Sequence, residues 1–195
     1  MKKIAQLFIV LFCFILTASP LFAQDDMSAM SEEQKIWMDY MTPGWAHEML
    51  AKSVGDWKTT TTFWQAPGTE PMVSEGTAKN EMILGGRYLQ STHNGMVWGM
   101  EMNGISLTAY DNTTEEFINT WIDNMGTGIA ISKGQYDKET NTLTFKGTMV
   151  DPMSKQEVEF KQVIKNVDDN TQMYEMYMLD GENEFKMMEM KSTKM

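Results

Sequence analysis

Asp56-Trp57-Lys58-Thr59-Thr60-Thr61-Thr62-Phe63-Trp64 is the stretch on which the fold turns. In an extended chain Trp57, Thr59, Thr61 and Phe63 fall on one face and Lys58, Thr60 and Thr62 on the other, and β-branched threonines favour that geometry. Before Asp56 the apolar spacing is helical; from Asp56 onward it is two, punctuated by Gly, Pro, Asn and Asp at roughly ten-residue intervals. The pattern predicts ten strands: 56–64, 73–84, 87–94, 105–110, 116–123, 128–136, 142–150, 157–166, 172–179 and 184–192. Turn chemistry is read at Pro67-Gly68, Gly85-Gly86, Asn94-Gly95, Asn103-Gly104, Asp111-Asn112, Asp151-Pro152 and Asp180-Gly181. No connection is long enough for a crossover helix, so successive strands are antiparallel neighbours. A meander of that length exposes two edges unless it closes, and the expected fold is all-β, a ten-stranded antiparallel up-and-down barrel with short N-terminal helices.

Working outward, Ser31-Glu32-Glu33-Gln34 has the form of a capping box and predicts a helix to about Met41. Thr42-Pro43 reads as the N-cap and first position of a second helix, whose Trp45, Met49 and Leu50 pack over one barrel end to about Ser53. Lys2 and Lys3, the apolar run Ile4 to Leu16 and the small-residue segment to Ala23 read as a secretory signal over 1–23, cleaved before Gln24. The expected organisation is therefore signal 1–23, acidic leader and short helix 24–41, and barrel domain 42–195. The expected destination is periplasmic or extracellular, with no integral membrane association. The one cysteine, Cys13, lies within the signal, so no thiol survives cleavage. Sixteen Lys plus Arg against 27 Asp plus Glu leave a net charge of −11, which disfavours nucleic acid and anionic membranes as partners.

Val54-Gly55-Asp56-Trp57 places a Gly-x-Trp at the first strand directly after a helix, which resembles the signature of lipocalins and their calycin relatives. The ordered series Ala66-Pro67-Gly68, Glu75-Gly76, Ile83-Leu84-Gly85-Gly86-Arg87-Tyr88-Leu89, Tyr110-Asp111, Trp121-Ile122-Asp123, Asp151-Pro152 and Glu184-Phe185-Lys186-Met187-Met188-Glu189 follows. It resembles the bacterial secreted family called domain of unknown function 1579, over about residues 45 to 194. The resemblance implies a lipocalin-like barrel and carries no catalytic residues. It also implies that the signature Trp sits under a basic side chain of the last strand, here Lys191 or Lys194. Nitrobindins, haem-binding barrels of similar shape, ligate iron through a late histidine; His47 and His93 both precede the last five strands, so no haem and no other cofactor is expected.

The candidate ligand-binding residues are Trp57, Phe63, Arg87, His93, Trp121 and Asp123. Trp57 and Phe63, like Phe117, Asn119, Trp121 and Asp123, mix rings and polar groups on one strand face, as a ligand wall or a filled core would. Arg87, the only arginine, either grips an anionic group of a ligand or ties a turn to Glu81 or Asp123. Its neighbouring glycines lack phosphate-loop spacing. By parity His93 shares a face with Leu89 and Ser91, and a general base there needs a nucleophile and an orienting group. His47, beside Glu48, reads as a surface or capping residue, and two distant histidines give no zinc spacing. The 21 methionines, clustered at 96/100/102, 173/176/178 and 187/188/190, read as adaptable packing, a soft Cu(I) site or an oxidant sink. Residue parity sets Met187 against Met188 and Met173 against Met176, so no designed metal site is expected. The expected function is an exported binder of a small, mostly apolar molecule, acting as a monomer or weak homodimer and not as an enzyme. The alternatives are a small enzyme working through His93 with Ser91, Arg87 or Asp123, Cu(I) handling, or a structural envelope module.

Overall fold

The computed structural model describes residues 30–195; the secretory signal and most of the acidic leader expected from the sequence lie outside them. Two short helices, α1 (Glu32–Met41) and α2 (Trp45–Ala51), precede ten strands. These are β1 (Gly55–Phe63), β2 (Met72–Ile83), β3 (Tyr88–Val97), β4 (Met100–Asp111), β5 (Glu116–Asp123), β6 (Ala130–Asp137), β7 (Thr142–Val150), β8 (Glu157–Asp168), β9 (Thr171–Asp180) and β10 (Asn183–Lys194). Each strand pairs antiparallel with its sequence neighbours, and β10 returns to β1, from Trp57↔Lys194 to Phe63↔Met188, so the barrel is closed. Among the described residues no helix is long and apolar enough to cross a membrane.

The capping box of α1 forms as read: Gln34 N–H donates to Ser31 Oγ (3.2 Å) and Ser31 N–H to Gln34 Oε1 (2.9 Å). Thr42 does not cap α2. Its hydroxyl donates to Met38 O (2.6 Å) at the end of α1, while His47 Nδ1 accepts the Gly44 N–H (3.0 Å) at the start of α2. His47 is thus a buried cap residue rather than a surface one, with its pKa lowered first by burial and then by the charge of Arg87.

Two turn assignments also change. Asn94-Gly95 and Asn103-Gly104 lie inside strands and face each other, with Asn94↔Asn103 and His93↔Gly104 in register. The hairpin bends instead at Trp98-Gly99, both at positive φ (53° and 77°), the geometry of a two-residue hairpin turn. The Asn-Gly pairs mimic turn chemistry, but the ladder hydrogen bonds of the longer strands outweigh a local preference of under 1 kcal/mol or so.

The closed end is filled by α2. Ala46 and Leu50 pack with Leu89, Phe117, Leu143 and Phe145, and Met49, Met82, Tyr110, Tyr136 and Ile164 surround them. Trp45 adds edge contacts to Tyr110 (5.4 Å between ring centroids) and Phe117 (6.2 Å). Each large apolar side chain buried here contributes about 1.5–3 kcal/mol. The incoming chain is anchored at the same end: Asn112 Nδ2 donates to the carbonyls of Asp39, Tyr40 and Thr42, and Arg87 donates to Met41 O (2.6 Å).

The Gly-x-Trp motif forms the pin of this end. Trp57 is buried, its Nε1–H donates to Ser53 O (2.9 Å), and Lys194 Nζ lies 5.5 Å from its ring centroid. Lys194, not Lys191, is therefore the basic residue over the signature tryptophan. Gly55 has φ +133°, and a Cβ there would come within 2.8 Å of Lys194 Cε. Replacing Gly55→Ala is expected to cost roughly 1–3 kcal/mol of stability in urea unfolding, because backbone strain and the lysine clash add. Unchanged stability would mean that Lys194 is not held over Trp57.

Candidate functional site

Opposite α2, the barrel wall opens. The β2–β3 ladder runs from Ile83↔Tyr88 only as far as Thr77↔Asn94. Above that level β2 continues against β1 to Met72, and β3 continues against β4 to Val97. The two strands meet closely once more at Gly76, where a Cβ would lie 2.4 Å from Asn94 O and 3.2 Å from Gly95 Cα. Beyond this glycine contact their segments form a seam. A narrow cavity of about 30 Å³ lies behind it, lined by Thr59, Thr61, Phe63, His93, Met102 and Met190 among others. A mouth of about 390 Å³, walled by Phe63, Met72, Met96, Val97 and Trp98, lies above. Phe63, Ser74, Met96 and Val97 line both, so the narrow cavity is the deep end of the wide one.

The deep end is built around a three-strand contact. Trp121 on β5 and His93 on β3 are separated by β4, yet their rings meet edge to face with centroids 5.3 Å apart. Gly104 makes this possible: it is the β4 partner of His93, and a Cβ on it would stand 2.3 Å from the Trp121 ring. Asp123 holds the indole in place, its Oδ2 accepting the Trp121 Nε1–H (2.6 Å) while Oδ1 accepts the N–H groups of Met125 (2.9 Å) and Gly126 (3.0 Å). That carboxylate is a turn anchor and a tryptophan clamp.

Below lies a belt of buried polar side chains: Thr59, Asn80, Ser91, Thr108, Asn119, Ser132, Gln162 and Ser192, from eight different strands. Asn119 Nδ2 donates to Ser106 Oγ (2.8 Å) and Thr108 Oγ1 (3.0 Å), and Ser132 Oγ donates to Gln162 Oε1 (3.2 Å). Asn80 Nδ2 donates to Ser53 O (3.0 Å), but its Oδ1 is buried without a partner. Burial lowers the pKa of His93 from 6.5 to about 4 and raises that of Tyr174, whose hydroxyl meets Gln162, so both are neutral at pH 7. Glu75, on the seam, is paired outside with Lys58 (3.2 Å). Apart from Glu75 at the seam, the residues that line the cavity carry no charge.

Phe63, His93, Trp121 and Asp123 thus converge on the open half. Trp57 and Arg87 do not: Trp57 is the pin of the closed end, and the Arg87 guanidinium is spent on the carbonyls of Met41, Leu84 and Gly85. Among the described residues no carboxylate or carbonyl hydrogen-bonds the His93 ring, so it lacks the orienting group of a general base. Sequence reasoning gave no site role to Gly76, Gly95 and Gly104, whose missing side chains shape the site, and named Met102 and Met190 only as members of methionine clusters. The methionine clusters do converge across strands. Met188 pairs with Phe63 and Met176, and Met190 with Thr61 and Tyr174, which puts all three thioethers on the inner face.

A family model described as protein of unknown function, DUF1579, matches residues 42–194. The chain belongs to that family. Among solved structures, the DUF1579 chain is similar to Rv2717c from M. tuberculosis, with a TM-score of 0.58 and 12% identity over 79% of this chain and 99% of that one. At that identity the likeness is one of fold, and it fits a lipocalin-like barrel. No curated protein matches this DUF1579 chain.

The half-buried imidazole of His93 predicts a pH dependence. His93 takes up a proton near 6.5 when unfolded and near 4 when folded, so its contribution to stability is intact above pH 6.5 and lost as pH falls toward 4. The carboxylates of Asp123 on β5 and Glu75 on β2 are engaged by Trp121 and Lys58 and do not offset this. Urea unfolding at pH 7 and pH 4 should show wild type losing roughly 3 kcal/mol more than His93→Phe. The same loss in both would place His93 in contact with water.

Proposed function

We propose that this protein is an exported binding protein for a small, mostly apolar, uncharged molecule, entering at the seam between β2 and β3. The observation that carries the reading is the uncharged cavity opposite the α2 plug, with its apolar mouth. Deep and wide parts together fall in the size range of small-molecule sites, about 300–1,000 Å³. Phe63, Met96 and Val97 would take the apolar body, and the edges of His93 and Trp121 with the hydroxyls of Thr59 and Thr61 would orient one polar group. An ionised ligand would leave a charge unpaired at the deep end and is disfavoured by several kcal/mol. Methionine suits such a wall because its unbranched thioether repacks around varied shapes. The secretory pattern of residues 1–23 supports a periplasmic or extracellular site of action, as a monomer or weak homodimer.

The uncharged, polarity-sensitive dye N-phenyl-1-naphthylamine tests this. Residues 24–195 are expected to bind it with a blue-shifted emission. Thr61→Trp, which fills the deep end, should weaken binding at least tenfold while leaving the urea midpoint close to wild type. Equal affinity in that variant, or no binding by either protein, would overturn the reading.

A further inference from the structure

The deep end of the cavity carries a second kind of chemistry that an apolar ligand does not use. Its lining brings together one imidazole, His93 on β3, and two methionines from other strands, Met102 on β4 and Met190 on β10. Among the described residues the His93 ring has no hydrogen-bond partner, so a nitrogen lone pair is free for a ligand. The deep end, about 30 Å³, has room for an ion or for one or two waters. The Trp121 ring closes the other side of the imidazole at 5.3 Å and is kept there by Asp123.

We propose that this pocket is a binding site for a monovalent soft cation, Cu(I) or Ag(I), held by His93 together with Met102 and Met190. Three lines of chemistry support it. Thioether sulfur is a weak donor to hard ions and to Zn(II) but a good one to Cu(I), and imidazole serves both. No thiolate exists after residue 13, and among the described residues no group of three or more His, Cys, Asp or Glu side chains could hold a harder ion. The donor set is neutral, which limits the site to a monovalent ion whose bonds to nitrogen and sulfur must offset the missing counter-charge.

The methionine distribution fits this selectively. Met102 and Met190 come from two different sequence clusters, at 96/100/102 and 187/188/190, and line one cavity only because the barrel closes through β10 and β1. Met173, by contrast, pairs with Lys165 and Lys191 on the outer face, away from the cavity. The inference does not depend on the apolar-ligand reading: both use His93, but the ion needs the thioethers of Met102 and Met190, and the organic molecule needs the apolar mouth.

The test is an anaerobic titration of residues 24–195 with Cu(I) in competition with a colorimetric Cu(I) chelator. One equivalent is expected to bind and to quench tryptophan fluorescence, while Zn(II) under the same conditions does neither. Met102→Leu combined with Met190→Leu keeps side-chain volume, so near-UV circular dichroism should be unchanged while Cu(I) affinity falls at least tenfold. His93→Phe should fall as far, and Met173→Leu should match wild type. No competition with the chelator overturns the site, as does binding that survives the double leucine variant or is equalled by Zn(II). N-phenyl-1-naphthylamine binding measured on the same samples separates the two readings: if it persists while Cu(I) fails, only the metal site falls.

Discussion

The antiparallel seam between β1 and β10 is the constraint on which the rest of the molecule depends. It removes both edges of the sheet, gives the barrel an interior, and brings the last strand beneath the first helix–strand junction. Trp57 and Lys194 are its lock. The indole is fixed to Ser53, the lysine lies over it and reaches Lys52 O (3.4 Å), and Gly55 leaves the space they need. Because α2 is tied to the same point, closure and plugging of one end are a single event, and the cavity is left at the other.

Within that frame, absent side chains do as much as present ones. Gly104 lets Trp121 cross β4 to meet His93, and Gly76 lets β2 touch β3 before the two strands part. A methyl group at either position would collide with a ring or with backbone, so the cavity shape is set by glycine placement on neighbouring strands. The polar belt below then gives the cavity a floor of hydroxyls and amides. Buried groups of this kind are tolerated because their partners lie on adjacent strands, as Asn119 shows with Ser106 and Thr108.

Neutrality is the other organising property. An acidic protein of net charge −11 keeps its carboxylates outside or committed to backbone and indole N–H groups, as at Asp123, and its ammonium groups outside with them. What remains inside is imidazole, phenol, hydroxyl, amide and thioether. Such an interior discriminates against charged organic ligands and hard ions alike, since neither finds a counter-charge there. It also explains why burial lowers the pKa of His93: no neighbour repays the cost of the proton.

The sequence by itself determined the class of fold. Two-residue periodicity, short turns at Gly85-Gly86, Asp111-Asn112 and Asp180-Gly181, and the Gly-x-Trp after a helix are local or near-local signals, each with its own physical cause, and they point to ten meandering strands. Face parity also placed Phe63, His93, Trp121 and Asp123 on inner strand faces. Only the tertiary structure decided which residues meet. Arg87 looked available for a ligand because its partner, the carbonyl of Met41, is 46 residues away. Asn94-Gly95 and Asn103-Gly104 looked like turns because the value of those glycines depends on rings and strands elsewhere. The methionines looked scattered because parity within one strand cannot show that Met102 and Met190 line one pocket. Contacts between strands distant in sequence depend on register and closure, and these are set by the packing of the whole barrel.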